Sequence, residues 1–158
     1  MDRVPMTPEG YDKLYKELSH LKSVVRPQNI QDIETARSHG DLSENAEYHA
    51  AKEKQGQVAA QIAKIEGLLG LSEIIDPKKI EDKNKIVFSA TVTLYDINAS
   101  EEVSYKIVGD DEGDVKAGKI GISSPIARGL IGKKTGDEVS VKTPKGLREL
   151  EIMKIEYV

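Results

Sequence analysis

The stretch S-H-G-D-L, from Ser38 to Leu42, decides the architecture of the N-terminal half of this chain. It is all that separates two long segments with helical periodicity, and so short a connection forces the second helix to run back against the first. Gly40 suits the left-handed residue that commonly closes a helix. The sequence therefore predicts an antiparallel helical hairpin with its tip at these five residues.

The first arm is predicted to begin at about Pro8, because Thr7 can cap free backbone N–H groups and proline fits the first helical turn. Pro27 predicts a kink rather than a stop, since the helical pattern continues beyond it. At a rise of 1.5 Å per residue, a helix from Pro8 to Ser38 is about 45 Å long. A coiled-coil seam is predicted along this arm at Leu14, Leu18, Leu21 and Val25 and, after a slip in phase, at Ile30, Ile33 and Arg37.

The return arm is predicted to run from about Ser43 to Leu69. Its residues follow a four-three repeat whose apolar character rises with distance from the tip. The positions on this repeat are Glu44, Tyr48, Ala51, Gln55, Val58, Ile62, Ile65 and Leu69.

The pattern changes after Asp76-Pro77 to alternating, β-branched segments separated by Gly, Asn and Asp. The predicted fold class is α+β, with a coiled-coil hairpin domain at 1–76, a linker at 77–84 and a mostly antiparallel β domain at 85–158. One short helix is predicted from Ser124, with Pro125 at its first position and Gly132 as its stop. The predicted strands lie around Ile86–Phe88, Thr91–Tyr95, Val103–Val108, Lys119–Ile122, Glu138–Val141 and Leu147–Tyr157.

Composition excludes several classes of function. The 158 residues include no Cys, no Trp and one Phe, which excludes thiol chemistry and makes a large aromatic-lined pocket unexpected. The net charge is −4 with both signs interspersed, so autonomous sequence-specific DNA binding is not expected. No segment reaches membrane length and the N-terminus lacks a signal-peptide pattern, so the expected location is the cytoplasm, without a membrane partner.

Three carboxylates, from Asp41, Glu44 and Glu47, stand at three-residue intervals at the predicted tip. One interpretation is a capping box, in which Asp41 accepts from the backbone N–H of Glu44 and the Glu44 side chain reaches back. The other is chemical, because the acids repel one another by a few tenths of a kcal/mol per pair and exceed what a cap needs. Magnesium usually takes one or two protein carboxylates, so Asp41 and Glu44 would form half of a metal site.

Other candidates near the tip and beyond it have ordinary explanations. His39 and His49 are ten residues and a turn apart, which is a poor start for a transition-metal site. Arg37 and Lys52 flank the tip and could hold a phosphate backbone, although single basic residues on coiled-coil arms are commonly solvated. The acidic run Gly109–Asp114 lacks the ligand spacing of a calcium loop and is predicted to be a charged hairpin turn.

Four motifs together resemble a known family. They are P-M-T-P-E-G at Pro5–Gly10, the tip G-D-L-S-E-N-A-E-Y-H-A-A-K-E at Gly40–Glu53, I-V-G-D-D-E at Ile107–Glu112 and S-P-I-A-R-G-L-I-G-K at Ser124–Lys133. Their order and the end-to-end likeness make the chain similar to the bacterial Gre transcript-cleavage factors. The resemblance implies a coiled-coil hairpin that enters the secondary channel of RNA polymerase and an FKBP-like C-terminal domain that docks at the channel rim.

The resemblance also implies roles for particular residues. Asp41 and Glu44 would hold a Mg²⁺ ion shared with the polymerase, so that backtracked RNA is cleaved in the polymerase active site and the chain is not an enzyme on its own. Asn45 and Tyr48 would support the tip, and Arg37 and Lys52 would contact the extruded RNA. The polymerase-binding segment would contain Ser124 and Pro125.

Three alternatives remain open from the sequence. A Gre-like inhibitor could enter the same channel without stimulating cleavage. An FKBP-like prolyl isomerase would need an aromatic pocket, for which Phe88, Tyr95, Tyr105 and Tyr157 are the available residues. A structural coiled-coil spacer or chaperone would use the tip acids for stability alone.

Overall fold

The computed structural model of the protein describes residues 2–158 and divides into two compact units. The first unit is Tyr11–Ser72, and the second combines Asp2–Gly10 with Glu73–Val158. The hairpin domain predicted from the sequence, 1–76, includes the first ten residues. The predicted α+β class, with a helical hairpin and a mostly antiparallel β domain, is confirmed. Within residues 2–158, no helix combines the length and apolar character needed to cross a bilayer.

The first arm is helical without interruption from Pro8 to Ser38, as predicted. It consists of α1 (Pro8–His20), a π-helical turn (Leu21–Val25) and α2 (Arg26–Ser38). Pro27 lies in the first turn of α2, directly after the π-helical turn. A π-helical turn accommodates an extra residue in the helix, so the irregularity predicted at Pro27 is a wide turn that precedes the proline.

The seam of the first arm differs from the prediction beyond Val25. Ile30 is 46 % exposed and Arg37 is exposed, while Asn29 and Ala36 are buried together with the correctly predicted Ile33. The wide turn explains this change in the seam. Because it adds a residue to one turn, residues spaced four apart stay on the face that meets the other arm, whereas in a regular α-helix they would gradually rotate away from that face. The predicted phase slip is therefore present as a shift of one residue at the wide turn, but it places Asn29 and Ala36 on the seam instead of Ile30 and Arg37. The amide Nδ2 of Asn29 donates to the carbonyl oxygen of Ala51 on the facing arm at 3.0 Å.

The return arm, α3, spans Ala46–Leu71 and begins three residues later than predicted. The connection between the arms is accordingly residues 39–45 rather than 38–42. Gly40 adopts a φ of +107°, which confirms its role as the left-handed residue that follows α2. A hydrophobic cluster holds the arms together away from the tip, and it comprises Leu21, Val58, Ile62 and Ile65 with Leu14, Leu18, Val25 and Leu69 around them.

Besides the hairpin helices, residues 2–158 form seven strands and one short α-helix. A two-stranded sheet, not predicted, pairs β1 (Val4–Met6) with β2 (Ser72–Ile74). A five-stranded sheet has the order β5-β4-β3-β7-β6 and is antiparallel except between β4 and β5. Its strands are β3 (Thr91–Asp96), β4 (Glu101–Val108), β5 (Lys119–Gly121), β6 (Glu138–Thr143) and β7 (Gly146–Glu156).

The core of the second unit lies between one face of this sheet and the helix α4 (Pro125–Leu130). Alternation along β3 buries Val92 and Leu94 and leaves the intervening side chains half-buried. Ala127 and Leu130 of α4 are fully buried against the sheet. The predicted short helix and its position are therefore confirmed.

Two predictions about the second unit are wrong. Residues Ile86–Phe88 form no strand, because Ser89 takes a φ of +76° and the Ala90 N–H bonds back to the carbonyl of Val87, which turns the chain. The acidic run after β4 is not a hairpin turn, because β5 pairs parallel to β4 and residues 109–118 cross over between them. Within this crossover, Asp110–Glu112 and Val115–Ala117 are single 3₁₀ turns.

Candidate functional site at the hairpin tip

The tip loop is organised by Asn45, which is the N-cap of α3. Its Oδ1 accepts from the backbone N–H of Tyr48 at 3.0 Å, and its Nδ2 donates to the carbonyl oxygen of Ala36 at 2.7 Å. The first bond satisfies a free donor at the start of α3, and the second ties that start to the last turns of α2. Asn45 therefore joins the two arms at the base of the loop.

Of the two interpretations of Asp41 and Glu44, the capping box is not the arrangement in the structure. The carboxylate of Asp41 instead accepts from the backbone N–H of Ser43 at 3.1 Å and from the Ser43 hydroxyl at 2.8 Å, through the same oxygen, Oδ1. Glu44 is exposed, and its carboxylate makes no hydrogen bond or ion pair within residues 2–158. Capping thus accounts for neither carboxylate, since Asn45 supplies the cap.

Asp41, Glu44 and Asn45 line one open concavity at the tip together with His39, Ala46 and Glu47. Glu47 lies in the first turn of α3, where its charge complements the helix dipole. Its Oε2 is 3.3 Å from Nδ1 of His39, an ion pair when the imidazole is protonated. The third acid of the tip is therefore engaged across the loop, and two carboxylates face solvent.

The basic candidates lie apart from each other. The guanidinium carbon of Arg37 is 6.0 Å from the centroid of the Tyr48 ring, at the outer limit of a cation–π contact. Nζ of Lys52 donates to Oε1 of Gln55 at 2.9 Å, and Lys52 lines a separate groove between the arms with Arg26 and Ile30. Arg37 is thus next to the predicted tip support, whereas Lys52 belongs to the side of the hairpin.

The donor set at the tip fits a metal ion that another molecule also ligates. Within residues 2–158 there is no group of three His, Asp or Glu side chains placed to hold a metal. The two histidines have separate partners, since His39 faces Glu47 and the Nε2 atom of His49 is 3.2 Å from the carbonyl of Ser43. Two exposed carboxylates match the share of Mg²⁺ ligands that one protein usually supplies when phosphates and other groups complete the shell.

The second candidate segment, Ser124 and Pro125, lies in the other unit at the start of α4. Oγ of Ser124 accepts from the backbone N–H of Ala127 at 3.3 Å, which is the predicted helix cap, while Pro125 is exposed. Just before it, Ser123 is held by Asp110, whose two carboxylate oxygens accept from its backbone N–H at 2.9 Å and from its hydroxyl at 2.7 Å.

The aromatic residues considered for an isomerase pocket have other positions. Phe88 and Tyr157 are buried in the core, and the Tyr157 hydroxyl donates to the carbonyl of Lys85 at 2.5 Å. Burial raises the pKa of Tyr157 above its ordinary value. Tyr95 belongs to the opposite face of β3 from the core residues. These placements give no support to an aromatic peptide-binding pocket.

Asn45 was predicted as tip support but not as the cap of α3, and the contacts of His39 at the tip and of Glu112 in the second unit were not predicted. Asn45 precedes the first turn of α3, a position where asparagine is a strong capping signal, but only the acids nearby were considered for the cap. His39 could be found only with the loop conformation known, because its partner is eight residues away. Glu112 accepts from the backbone N–H and hydroxyl of Thr7 and from the N–H of Gly109, a long-range contact with no local signal.

Comparison with known proteins finds matches along almost the whole chain. The family model described as "Transcription elongation factor, N-terminal" matches residues 4–74, and the one described as "Transcription elongation factor, GreA/GreB, C-term" matches residues 81–157. Proteins named transcription elongation factor GreA are 53 % identical in Acinetobacter baumannii and 51 % identical in Haemophilus influenzae, in each case over all 158 residues and the whole relative. The one from Psychrobacter arcticus is 54 % identical over 99 % of each chain.

Among solved structures, the crystal structure of GreA factor homolog 1 (Gfh1) of Thermus thermophilus is 26 % identical. It covers 98 % of this chain and 99 % of its own, with a TM-score of 0.45. Family membership therefore rests on the sequence matches, which extend over both units at more than half identity. The chain belongs to the GreA/GreB family of transcription elongation factors.

Proposed function

We propose that this elongation factor binds bacterial RNA polymerase, places its tip in the secondary channel and stimulates cleavage of backtracked RNA. The proposal rests on the different roles of Asn45 and of the two carboxylates at the tip. Asn45 caps α3, while the carboxylates of Asp41 and Glu44 stay exposed on the same concavity. Two acids that do not cap their helix are available to serve a partner.

The chain itself supplies two exposed carboxylates, of which that of Asp41 is positioned. The two bonds from Ser43 orient the carboxylate of Asp41 and leave its Oδ2 free of partners within residues 2–158. Glu44 is free to turn toward a metal or a water molecule. The loop is short, with the left-handed Gly40 after α2 and the capping residue Asn45 before α3. The two acids therefore lie close together on the same loop.

Asp41 and Glu44 would hold a Mg²⁺ ion together with groups of the polymerase and the RNA. When bound, such an ion neutralises charge that develops at the cleaved phosphodiester and lowers the pKa of a bound water. The free chain, with two carboxylates and no third metal-binding side chain in the described residues, is expected to bind Mg²⁺ weakly. The chemistry would thus belong to the polymerase active site, and the factor would complete it in trans.

Arg37 and Tyr48 would form the surface that meets the extruded RNA. A tyrosine ring backed by a guanidinium offers stacking to a base and a positive charge to a phosphate. Lys52, farther along α3 and bound to Gln55, would contribute charge alone. Ser124 and Pro125 would provide the polymerase contact of the second unit.

The proposal is tested with stalled, backtracked elongation complexes that carry 5′-labelled RNA. The wild-type factor is expected to shorten the RNA to products that nucleotides can extend, whereas Asp41→Asn/Glu44→Gln is expected to bind the complex without shortening the RNA. Glu47→Gln is the matched control, because Glu47 is a tip acid paired with His39. Binding by the wild type without cleavage would support a channel-plugging inhibitor instead.

A further inference from the structure

The acidic turn Asp110–Glu112 follows β4. Neither the pairing of the strands nor the cleavage chemistry proposed for the hairpin tip explains why this turn is acidic. Asp110 and Glu112 nevertheless have definite partners at different places in the second unit. Asp110 bonds to Ser123, and Glu112 bonds to Thr7 and Gly109. Asp111, between them, is exposed and makes no hydrogen bond or ion pair within residues 2–158.

The partner of Asp110 stands directly before Ser124 and Pro125. The contact is two-pronged, with Oδ1 accepting from the Ser123 N–H at 2.9 Å and Oδ2 accepting from the Ser123 hydroxyl at 2.7 Å. A two-point contact fixes the direction of a residue, which a single bond leaves free to swing. Asp110 therefore defines how the chain leaves β5 and enters α4.

The backbone around this contact is shaped to admit it. A Cβ atom at Gly121 would lie 2.7 Å from Oδ1 of Asp110 and 3.2 Å from its Cα, so only glycine permits the close approach. The Ser124 N–H also bonds to the carbonyl of Gly121 at 2.9 Å. The end of β5, the residue before α4 and the acidic turn thus form one connected junction.

We infer that Asp110 is a positioning residue for polymerase binding, acting through Ser123 on the segment Ser124-Pro125. This inference rests on the proposed function, in which that segment contacts the polymerase. Without Asp110, residues 123–125 would keep the cap of α4 but lose their fixed direction, and binding would have to order them. The expected result is weaker binding by about fivefold, with no change in cleavage once the complex is saturated.

Asparagine offers a sharp conservative test. Its Oδ1 can accept from the Ser123 N–H while its Nδ2 donates to the Ser123 hydroxyl, because a hydroxyl can serve as donor or acceptor. Asp110→Asn is therefore expected to bind like the wild type, while Asp110→Ala binds more weakly. Since both bonds are exposed to solvent, neither variant is expected to shift the melting temperature measurably.

The experiment is a fluorescence titration of polymerase with the full chain, comparing Asp110→Ala, Asp110→Asn, Pro125→Ala, the double variant Asp110→Ala/Pro125→Ala and the control Asp111→Ala. The inference predicts that Asp110→Ala and Pro125→Ala each weaken binding and that their effects are less than additive, while Asp111→Ala and Asp110→Asn bind normally. Weakening by Pro125→Ala alone would overturn the role of Asp110 and leave the proposed docking segment intact. Normal binding by every variant would overturn the assignment of Ser124-Pro125 as the docking segment. Equal weakening by Asp111→Ala would show that loss of negative charge, and not loss of the contact with Ser123, weakens binding, which would overturn the role of Asp110.

Discussion

Oδ1 of Asn45 lies 3.0 Å from the backbone nitrogen of Tyr48 and so caps the return arm of the hairpin. From the sequence, Asp41 and Glu44 could either cap the return arm or hold a metal ion. This bond assigns the cap to Asn45 instead. The cap is neutral and belongs to Asn45, while Asp41 bonds only to Ser43 within the loop and Glu44 has no partner in the described residues. Substitution of Asn45 is therefore expected to lower stability. Substitution of Asp41 and Glu44 is expected to abolish cleavage without lowering stability.

Replacing Asn45 with alanine removes both the cap and the bond to the carbonyl of Ala36. Loss of an N-cap costs about 1 kcal/mol, so the unfolding free energy of the hairpin is expected to fall by about that amount. Asn45→Asp is the matched control, because aspartate can cap but cannot donate to Ala36. Denaturant unfolding of the full chain, followed by helical circular dichroism, makes the comparison, and equal stability of Asn45→Ala and the wild type would contradict it.

Ser89 is expected to be a site where substitution stabilises the protein. It is fully buried with a φ of +76°, and its hydroxyl has no hydrogen-bond partner in the described chain. A left-handed conformation costs a residue other than glycine about 1–2 kcal/mol. This cost is larger than the free energy by which the flexibility of glycine favours the unfolded state. Ser89→Gly should therefore raise the melting temperature by a few degrees. A melting temperature below that of the wild type would show that the serine side chain contributes packing that outweighs the strain.

Gly10→Ala tests the contact between the start of α1 and the acidic turn. Alanine within a helix normally stabilises it by about 1 kcal/mol relative to glycine, yet a Cβ at the buried Gly10 would clash with Cδ of Glu112. Moving Glu112 aside would break its bonds to Thr7 and Gly109. The variant is expected to be less stable than the wild type in thermal unfolding, and Gly56→Ala, at an unobstructed helix position, is the control expected to be more stable.

Asp96 is expected to make folding stability depend on acid. A hydrogen bond from the Ala99 backbone N–H, together with those from Arg148 and Asn98, lowers the pKa of Asp96 from its ordinary value of 3.8 against the opposing effect of burial. Because the folded-state pKa is lower than the unfolded one, this contribution is complete above the ordinary value and is lost as the pH falls through the folded-state pKa.

Asp96→Asn should therefore reduce stability at neutral pH and flatten the fall in stability on acidification. The unfolding free energy measured between about pH 6 and about pH 3 gives both slopes. Parallel slopes for the variant and the wild type would assign the acid sensitivity to other carboxylates.

The parts of the fold that follow from local pattern were predictable. The arms, the short connection, the left-handed Gly40 and the capped helix at Ser124 each carry their own signal within a few residues. The π-helical turn was not, because its effect is to keep Asn29 and Ala36 on the seam, whereas the sequence pattern led to a seam continued through Ile30 and Arg37. The parallel pairing of β5 with β4 was also hidden, since an acidic run with glycines has the composition of a hairpin turn.

At the candidate site, the sequence identified the carboxylates but left open whether they cap α3 or bind a metal ion. Asp and Asn are about equally good N-caps, so residue preference could not choose between Asp41 and Asn45. The choice depends on where α3 begins, and helix boundaries are set by contacts such as the bond from Asn45 to Ala36. Partners far apart in the chain, such as Glu112 with Thr7 and Asp110 with Ser123, have no local signature.

The most direct test of the account measures stability and RNA cleavage on the same pair of proteins, wild type and Asp41→Asn/Glu44→Gln. The account predicts that the variant unfolds at the same temperature as the wild type or slightly above it, binds backtracked elongation complexes with unchanged affinity and leaves their labelled RNA uncut. A variant that cleaves at the wild-type rate, or one that loses activity only in proportion to a loss of folded protein, would contradict the claim that these two carboxylates serve the reaction.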